Sequence, residues 1–594
     1  MSSQAFREQI YKTGRQTLVE VSYSLTAPDS KDGGIFVMPP NNEFSHINQA
    51  MNENRIMTAP VATLEPDYWR LDGTFILPVP PSENIEAGWW SDVISDENGY
   101  FETPLVITRE FEQAQLFNQV SITFDHSTNN FCSEFKVDLY DTENNIIYSE
   151  NIINNTQPIR ATEKGGENIL KVVITLYRTN NPFRYARVIE IDFGLIIYYT
   201  NKELISLNSI RETDYLGKSF IIPQFNIVVQ NKGDYNVVDK RTYAPYFQTR
   251  QRFFYRIGLI LDDNSTEWIN CGTYFLQSWA VNDKNVSFNA SGKTVQLENF
   301  DYYENSFNVF TLQQLINRVF SSINAQINVN LQSPRITGYF GEINYRDVLR
   351  YLAELSCCLV YEDENNIIQF KDILSDNTEN SIDTLDYKNM YGSPNIQLSE
   401  YYNSINLTEY FMSVEFKQVS STEQTAGEIK IFFDNPINGI GEIDLTDGFS
   451  LTNIIWYTNR LTGILTGNGT CIITVTGNAV TLSKEENLYN APWHTGKEPN
   501  SPYAINIPCM IKNSADYENF KSWFLDRKFK MLEKRMNANV YWYQNPERKI
   551  GDIVETQINR NEDGVNFHIV SQEIKFAPRL KGNTKIISPI IYLE

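Results

Sequence analysis

Four histidines, His46, His126, His494 and His568, and six cysteines, Cys132, Cys271, Cys357, Cys358, Cys471 and Cys509, are the residues of this 594-residue chain from which acid–base, nucleophilic or metal chemistry would ordinarily be built. None keeps the company such chemistry needs. The histidines are isolated, and the cysteines lack the paired spacing of a zinc cage, so buried, reduced thiols and structural or surface histidines are expected. No GxSxG elbow, HExxH helix or complete GxxxxGK[ST] phosphate loop occurs in the sequence. Glycoside hydrolysis needs two carboxylates at a set separation, and among 73 acidic residues such a pair can always be found, so its presence discriminates nothing. The chain therefore reads as a structural protein, not an enzyme, with no cofactor and no metal.

Length and composition agree with that reading. A chain of this length must fold as several domains, and 41% hydrophobic residues with 13% aromatics suffice for real cores. A net charge of −23 argues against a phosphate-clamping nucleic-acid binder, whose affinity comes from clustered Lys and Arg. The first residues, MSSQAFREQIYK, contain no apolar run of the signal-peptide kind, and no later stretch is apolar for long enough to span a bilayer. Assembly in the cytoplasm, without secretion, is the expectation.

The elements that would position any site centre on Glu342–Lys371, EINYRDVLRYLAELSCCLVYEDENNIIQFK. Asn344 followed by Asp347 is a helix start, because a short polar side chain can accept from the free N–H groups of the first turn. Val348, Leu349, Leu352 and Leu355 recur at helical spacing. Residues 358–361 and 367–370 then form two short apolar runs around a polar turn, which reads as a β-hairpin. Thr311 with Gln314 makes a capping box for a helix over 311–323 with Leu312, Leu315, Ile316, Val319 and Ile323 inward. A long helix is expected over 514–535 with Phe520, Trp523, Phe524, Met531 and Leu532 inward. Its stripe is interrupted at Arg527 and Lys528, which suggests a kink or an exposed middle. Nearly everything else alternates as short strands: 16–25, 120–124, 135–140, 169–177, 187–199, 219–230, 253–261, 271–279, 286–297 and 404–416. Within 434–500, LTGNGT and VTGNAV read as glycine turns between strands.

Several stretches carry resemblances. The helix followed by a hairpin resembles the segment between two β-barrels in the baseplate hub and tail-associated proteins of tailed bacteriophages. VATLEPDYWRLDGTF, residues 61–75, resembles a signature near the start of phage tail proteins, with Trp69 and Leu71 as core residues and Asp72-Gly73 as a turn. The order from Trp89 and Trp90 to RYARVIEIDFG, residues 184–194, resembles the galactose-binding-like jelly rolls of discoidin and carbohydrate-binding modules. NVSFNASGKTVQLEN, the Gly551-Asp552 strand and the closing EIKF…KGNTK are similar to further parts of the hub family.

These resemblances imply a mainly β fold with α+β parts: two hub-type β-barrel domains linked by a helix and hairpin module, plus an inserted jelly-roll β-sandwich. The expected boundaries are 1–66 and 201–300 for the first barrel, 67–200 for the sandwich and 301–398 for the module. The second barrel would take 399–594, with a β insertion at about 434–500. For function they imply a homotrimeric hub that adapts a sixfold tail tube to a threefold tail tip. Its partners would be itself, distal tail or tail tube proteins, a tail spike or tip protein and a tape-measure protein. DNA would pass its lumen without specific binding. The virion tail would be its location. In the sandwich, aromatics that stack on pyranose rings and polar groups beside them would bind host cell-wall polysaccharide, and Trp89, Trp90, His126 and Arg184 are the candidates. The competing reading for both tryptophans is core packing. The alternative functions are an extracellular carbohydrate-active enzyme and a sugar-binding adhesin.

Overall fold

Short apolar runs broken by Asn, Asp and Gly fold as strands along almost the whole chain, and the computed structural model is mainly β with a few helices. It describes residues 3–588 except 13, 27–33, 38, 52–60, 67, 69–86, 118, 126–127, 237–242, 245–246, 322, 324, 375–382, 386–388, 495–498, 558–563 and 578. The signature residues Trp69, Leu71, Asp72 and Gly73 lie outside the described residues.

The largest sheet has 16 strands. Its first unit sets Gln16–Thr26 between Tyr185–Thr200 and Arg252–Ile260, and continues through Thr266–Val281, Asn285–Ser291 and Gln224–Gln230 to Leu204–Glu212. Because successive side chains point to opposite faces, alternate residues such as Val19, Val21, Tyr23, Phe225, Phe253, Tyr255 and Phe288 meet in one core. Tyr23 stacks on Phe253 at 4.2 Å and Phe225 on Tyr274 at 4.8 Å. Residues 207–212 pair on their other side with 571–576. The sheet thereby runs on into a second unit of Val565–Phe576, Leu580–Ser588, Met536–Trp542 and Asn395–Leu398, whose own core includes Leu385, Val540, Trp542, Val554 and Phe567. The helix and hairpin module is thus not the only link between the two units. An unpaired edge leaves N–H and C=O groups open, and here each unit closes the other's edge. Among the described strands no closed barrel forms. Tyr11 adds a second tie, stacking on Trp542 at 5.9 Å from just beyond the helix Gln4–Gln9.

The sandwich faces a five-stranded sheet, Gly34–Val37, Tyr100–Phe117, Gly166–Thr179, Cys132–Tyr140 and Ile146–Ile152, with the strands Trp89–Ile94, Gln119–Phe124 and Ile159–Ala161 and the first part of Tyr185–Thr200. Phe101, Ile107, Phe124, Phe135, Val137, Ile174, Ile191 and Phe193 fill the space between. Its limits differ from 67–200. Residues 34–37 already pair with 108–111, so the sandwich reaches back before 67. At its end, one strand belongs to both domains: residues 185–194 pair inside the sandwich and 194–200 pair with 20–26 of the first unit.

The helical module follows its caps. Thr311 N–H donates to Gln314 Oε1 (3.1 Å) and Gln314 N–H to Thr311 Oγ1 (3.3 Å), the reciprocal box that starts Leu312–Ser321. Asn344 Oδ1 accepts from Asp347 N–H (2.9 Å) at the start of Tyr345–Ser356, and Cys357 ends that helix in the left-handed region. Such caps stabilise a helix by about 1 kcal/mol each. Leu359–Glu362 and Ile368–Lys371 form the hairpin. The long helix is Tyr517–Glu533. It begins later than 514, and the Asp516 side chain pairs with Arg335 instead of capping it.

Residues 404–490 depart most from expectation. Ser404–Phe432 and Arg460–Asn490 pair as one long antiparallel ribbon, whose stem also pairs with Pro502–Ile511 in parallel. LTGNGT is a bulge within the second strand, where Gly467 and Gly469 take positive φ opposite Gly427, and VTGNAV is uninterrupted strand. The bulge turns a corner. Beyond it the ribbon folds back until Asp434 N–H donates to the Val419 carbonyl (2.8 Å), enclosing Val419, Ile429, Ile431, Leu461, Leu465 and Val475. The inserted unit therefore begins inside the first long strand and not at 434, and that strand is not part of the sheet of the second unit.

Candidate functional site

Trp89 and Trp90 start the strand Trp89–Ile94, and both are buried, at 1% and 3% exposure. Trp89 lies in the sandwich core. Trp90 is held by Phe44 edge-on at 5.0 Å and donates from Nε1 to the Ala87 carbonyl (2.8 Å). Neither ring offers a face to a pyranose, so the stacking platform expected of them is corrected to core packing. The cause is local: strand alternation turns Trp89 inward, and Phe44 with residue 87 covers Trp90. Arg184 is half-buried and donates to the carbonyls of Pro66 (2.8 Å) and Phe183 (3.1 Å), so it fastens the signature segment. His126 lies outside the described residues.

Around these positions the structure assembles a charged cluster that sequence reasoning missed. The Arg187 side chain is fully buried and lies between the rings of Tyr68 (4.1 Å) and Trp90 (4.0 Å). It donates to Glu65, to Asp125 Oδ2 (3.1 Å), to Thr128 Oγ1 (3.0 Å) and to Tyr68 Oη (2.7 Å). The second Glu65 oxygen accepts from Tyr185 N–H (3.0 Å). Burial pulls the guanidinium's pKa down, but Tyr68, Glu65 and Asp125 together raise it above its ordinary value. The cation is locked on. Glu65 and Tyr68 belong to the signature stretch, and these contacts pin both of them to the shared strand. The sequence held one signal: Arg187 sits between Ala186 and Val188, which face the sandwich core, in a strand that is buried almost throughout.

Two further carboxylates stitch the helical module to its surroundings. Glu362 is buried and accepts from the N–H groups of Lys293 (2.7 Å) and Thr294 (3.0 Å), capping the 3-10 turn Lys293–Asn299. Gly292 leaves room for this carboxylate: an added Cβ would lie 2.5 Å from Glu362 Oε2 and would have to displace it. Glu354, on Tyr345–Ser356, faces Lys528 of the long helix at 3.6 Å and Tyr503 Oη at 3.2 Å. Lys528, 1% exposed, also donates to the Leu216 carbonyl (2.5 Å), while Arg527 pairs with Asp372 at 2.7 Å. The helix is continuous through that turn, and ion pairs of the buried Lys528 and the half-buried Arg527 occupy it where an exposed middle was expected.

A cleft of about 620 Å³ opens where the sandwich loops near Asn129 and Pro158, the first sheet, the hairpin turn and residues 546–550 meet. Arg211, Arg256, Trp268, Asp363, Glu364 and Arg548 line it. Several of its charges are already paired: Arg256 with Glu20 at 2.9 Å, lying over Trp268 at 4.3 Å, Arg548 with Asp383 at 3.1 Å, and Lys549 with Glu364. Burial, then the Glu364 charge, pushes Asp363 up to about 6. Among the described residues no group of His, Cys, Asp and Glu is arranged to hold a metal ion. All six cysteines are buried and free, and burial raises the thiol pKa of Cys132, Cys271, Cys357, Cys358 and Cys509, which makes those thiols inert.

No protein-family model and no curated protein matches the sequence. Among solved structures, the chain is similar to the 43 kDa tail protein of prophage MuSo2 from Shewanella oneidensis, at 10% identity over 66% of this chain and 96% of that one, with a TM-score of 0.37. It is similar to a tail protein from Neisseria meningitidis at 7% identity over 65% and 92% of the two chains, TM-score 0.37. The prophage tail protein gp18 from Listeria monocytogenes is similar at 10% identity over 77% and 94%, TM-score 0.34.

Proposed function

We propose that this chain is a structural hub protein of a phage tail or phage-tail-like particle, in which three copies form a ring that joins a sixfold tube to a threefold tip. The observation that carries the reading is the pair of β units, each with its own core, joined edge to edge through residues 207–212 and 571–576 with the helix and hairpin packed beside them. One chain that offers two sheet units gives six in a trimer, which is the count a sixfold tube requires. The contacts of such a ring are permanent and bury apolar strand and loop surface. The excess of acid suits a lumen that DNA crosses without sticking, since carboxylates repel phosphates. The sandwich is an accessory domain that faces outward, and sugar binding by it would use residues other than Trp89 and Trp90. Light scattering of the purified chain, alone and with tail tube and tip proteins, tests the reading: a trimer is expected, and a monomer under both conditions refutes it. Turnover of host cell-wall polysaccharide by the purified chain would refute the structural role.

A further inference from the structure

The stem of the long ribbon leaves one strand edge open. Residues 404–410 are paired on both sides, and the pairing with Pro502–Ile511 ends at Tyr410 opposite Ile511. Met412 is still covered, because its N–H donates to Asn513 Oδ1 (2.9 Å) and its carbonyl accepts from Asn513 Nδ2 (2.7 Å). The next cover comes at Val419, whose carbonyl accepts from Asp434 N–H. Between those points, among the described residues, 413–418 pair with a strand on one side only. Met412 turns both backbone groups to the open side, and backbone direction alternates along a strand, so Val414, Phe416 and Gln418 do the same.

The open stretch is also apolar where it should be polar. Val414 is 47% exposed and Phe416 57%. Edges exposed to water are usually blunted by charge, proline or a bulge. Here the edge carries Ser413-Val414-Glu415-Phe416-Lys417-Gln418, with no proline and with one charge of each sign beside a phenylalanine.

We propose that this edge pairs with the same edge of a second copy of the chain, antiparallel about a twofold axis at Phe416. Charge selects the register. With Phe416 opposite Phe416, Glu415 of each copy faces Lys417 of the other, and the favourable pair occurs twice. Slipping the strands by one repeat in either direction puts Glu415 opposite Glu415 or Lys417 opposite Lys417, and like charges directly opposite destabilise a ladder. Slipping by a single residue would set outward backbone groups against inward ones. The favoured register uses residues 414–418 of each copy, which fits inside the open window 413–418. This contact is separate from any threefold one, so it doubles the mass of whatever unit the chain forms.

Cysteine cross-linking of the full chain tests the geometry, since all six native cysteines are buried. On mild oxidation Phe416→Cys should give a disulfide-linked dimer, because that position faces itself. Val414→Cys, which faces Gln418, should cross-link far less. Charge reversal tests the register by light scattering over a concentration series. Glu415→Lys or Lys417→Glu alone should weaken the doubling about tenfold, by turning two attractive pairs into two repulsive ones, and the two together should restore it. Glu415 is exposed and Lys417 half-buried, and within one strand they form a largely exposed ion pair at 3.7 Å, whose loss does not threaten folding. A mass that never doubles, equal cross-linking at 414 and 416, or a double reversal no better than the singles would overturn the proposal.

Discussion

Removing the Glu65 carboxylate is the sharpest perturbation of the sandwich. Glu65→Ala takes away one of the two acids that face the fully buried Arg187 and leaves Tyr185 N–H without its acceptor. Breaking a buried pair by deleting one partner costs roughly 3 to 5 kcal/mol, because the remaining charge stays out of water. Asp125 still holds the guanidinium at 3.1 Å, so the lower figure is expected. For a domain of this size that corresponds to a fall of roughly 6 to 12 °C in the sandwich transition. A chain of several domains is expected to melt in several transitions, so the one that moves is assigned by hydrogen exchange, where protection in residues 185–193 should drop first. Replacing both ends with apolar side chains, Glu65→Leu with Arg187→Met, should cost less than Glu65→Ala alone, since no lone charge remains buried. A Glu65→Ala chain whose transition and exchange both match the parent within about 1 kcal/mol would show that the cluster does not anchor the signature segment.

Other outcomes follow from the same contacts. Replacing 27–193 with Asn-Gly should leave the first unit folded, because Thr26 and Gly194 are already paired and a two-residue turn can join them; circular dichroism and exchange in 16–26 check it. Gly292→Ala should destabilise the module, measured by its melting transition, because the new Cβ must push Glu362 from the N–H groups it accepts from. Lys528→Ala should cost roughly 3 to 5 kcal/mol in denaturant unfolding by stranding Glu354, and Lys528→Met with Glu354→Gln should cost less. Asp363, whose pKa is raised from 3.8 to about 6, contributes stability that is fully present below 3.8 and is lost as pH rises through 6; Asp363→Asn should flatten that part of the stability profile, read by chemical denaturation across pH 3.5 to about 7.

Local chemistry was legible in the sequence, and long-range pairing was not. Thr311 with Gln314 and Asn344 with Asp347 announce their helices because a cap is settled within three residues. The hairpin at 359–371 and the strands at 120–124, 135–140 and 187–199 were equally plain, since alternation is local. Arg187 and Lys528 misled, or passed unnoticed, for one shared reason: charged residue types suggest water, and their partners lie 122 and 174 positions away in the chain. Trp89 and Trp90 illustrate the converse. A pair of tryptophans suits both a binding platform and a core, and only the neighbours Phe44 and Arg187 decide. The glycines at 467 and 469 signalled a change of direction, but not that the strand would resume after it.

The strand Tyr185–Thr200 has a mechanical consequence. Many inserted domains hang from two flexible tethers and tumble independently of their host. Here the return path is a single unbroken strand, hydrogen-bonded to the sandwich over 185–194 and to the first unit over 194–200. A strand paired at both ends works as a stiff beam, so torque on the sandwich reaches the pairing of residues 20–26 without being absorbed by a hinge. An object caught at the outer end would strain the core directly, and the ladder at Gly194, bonded on both sides, is where the load passes from one domain to the other.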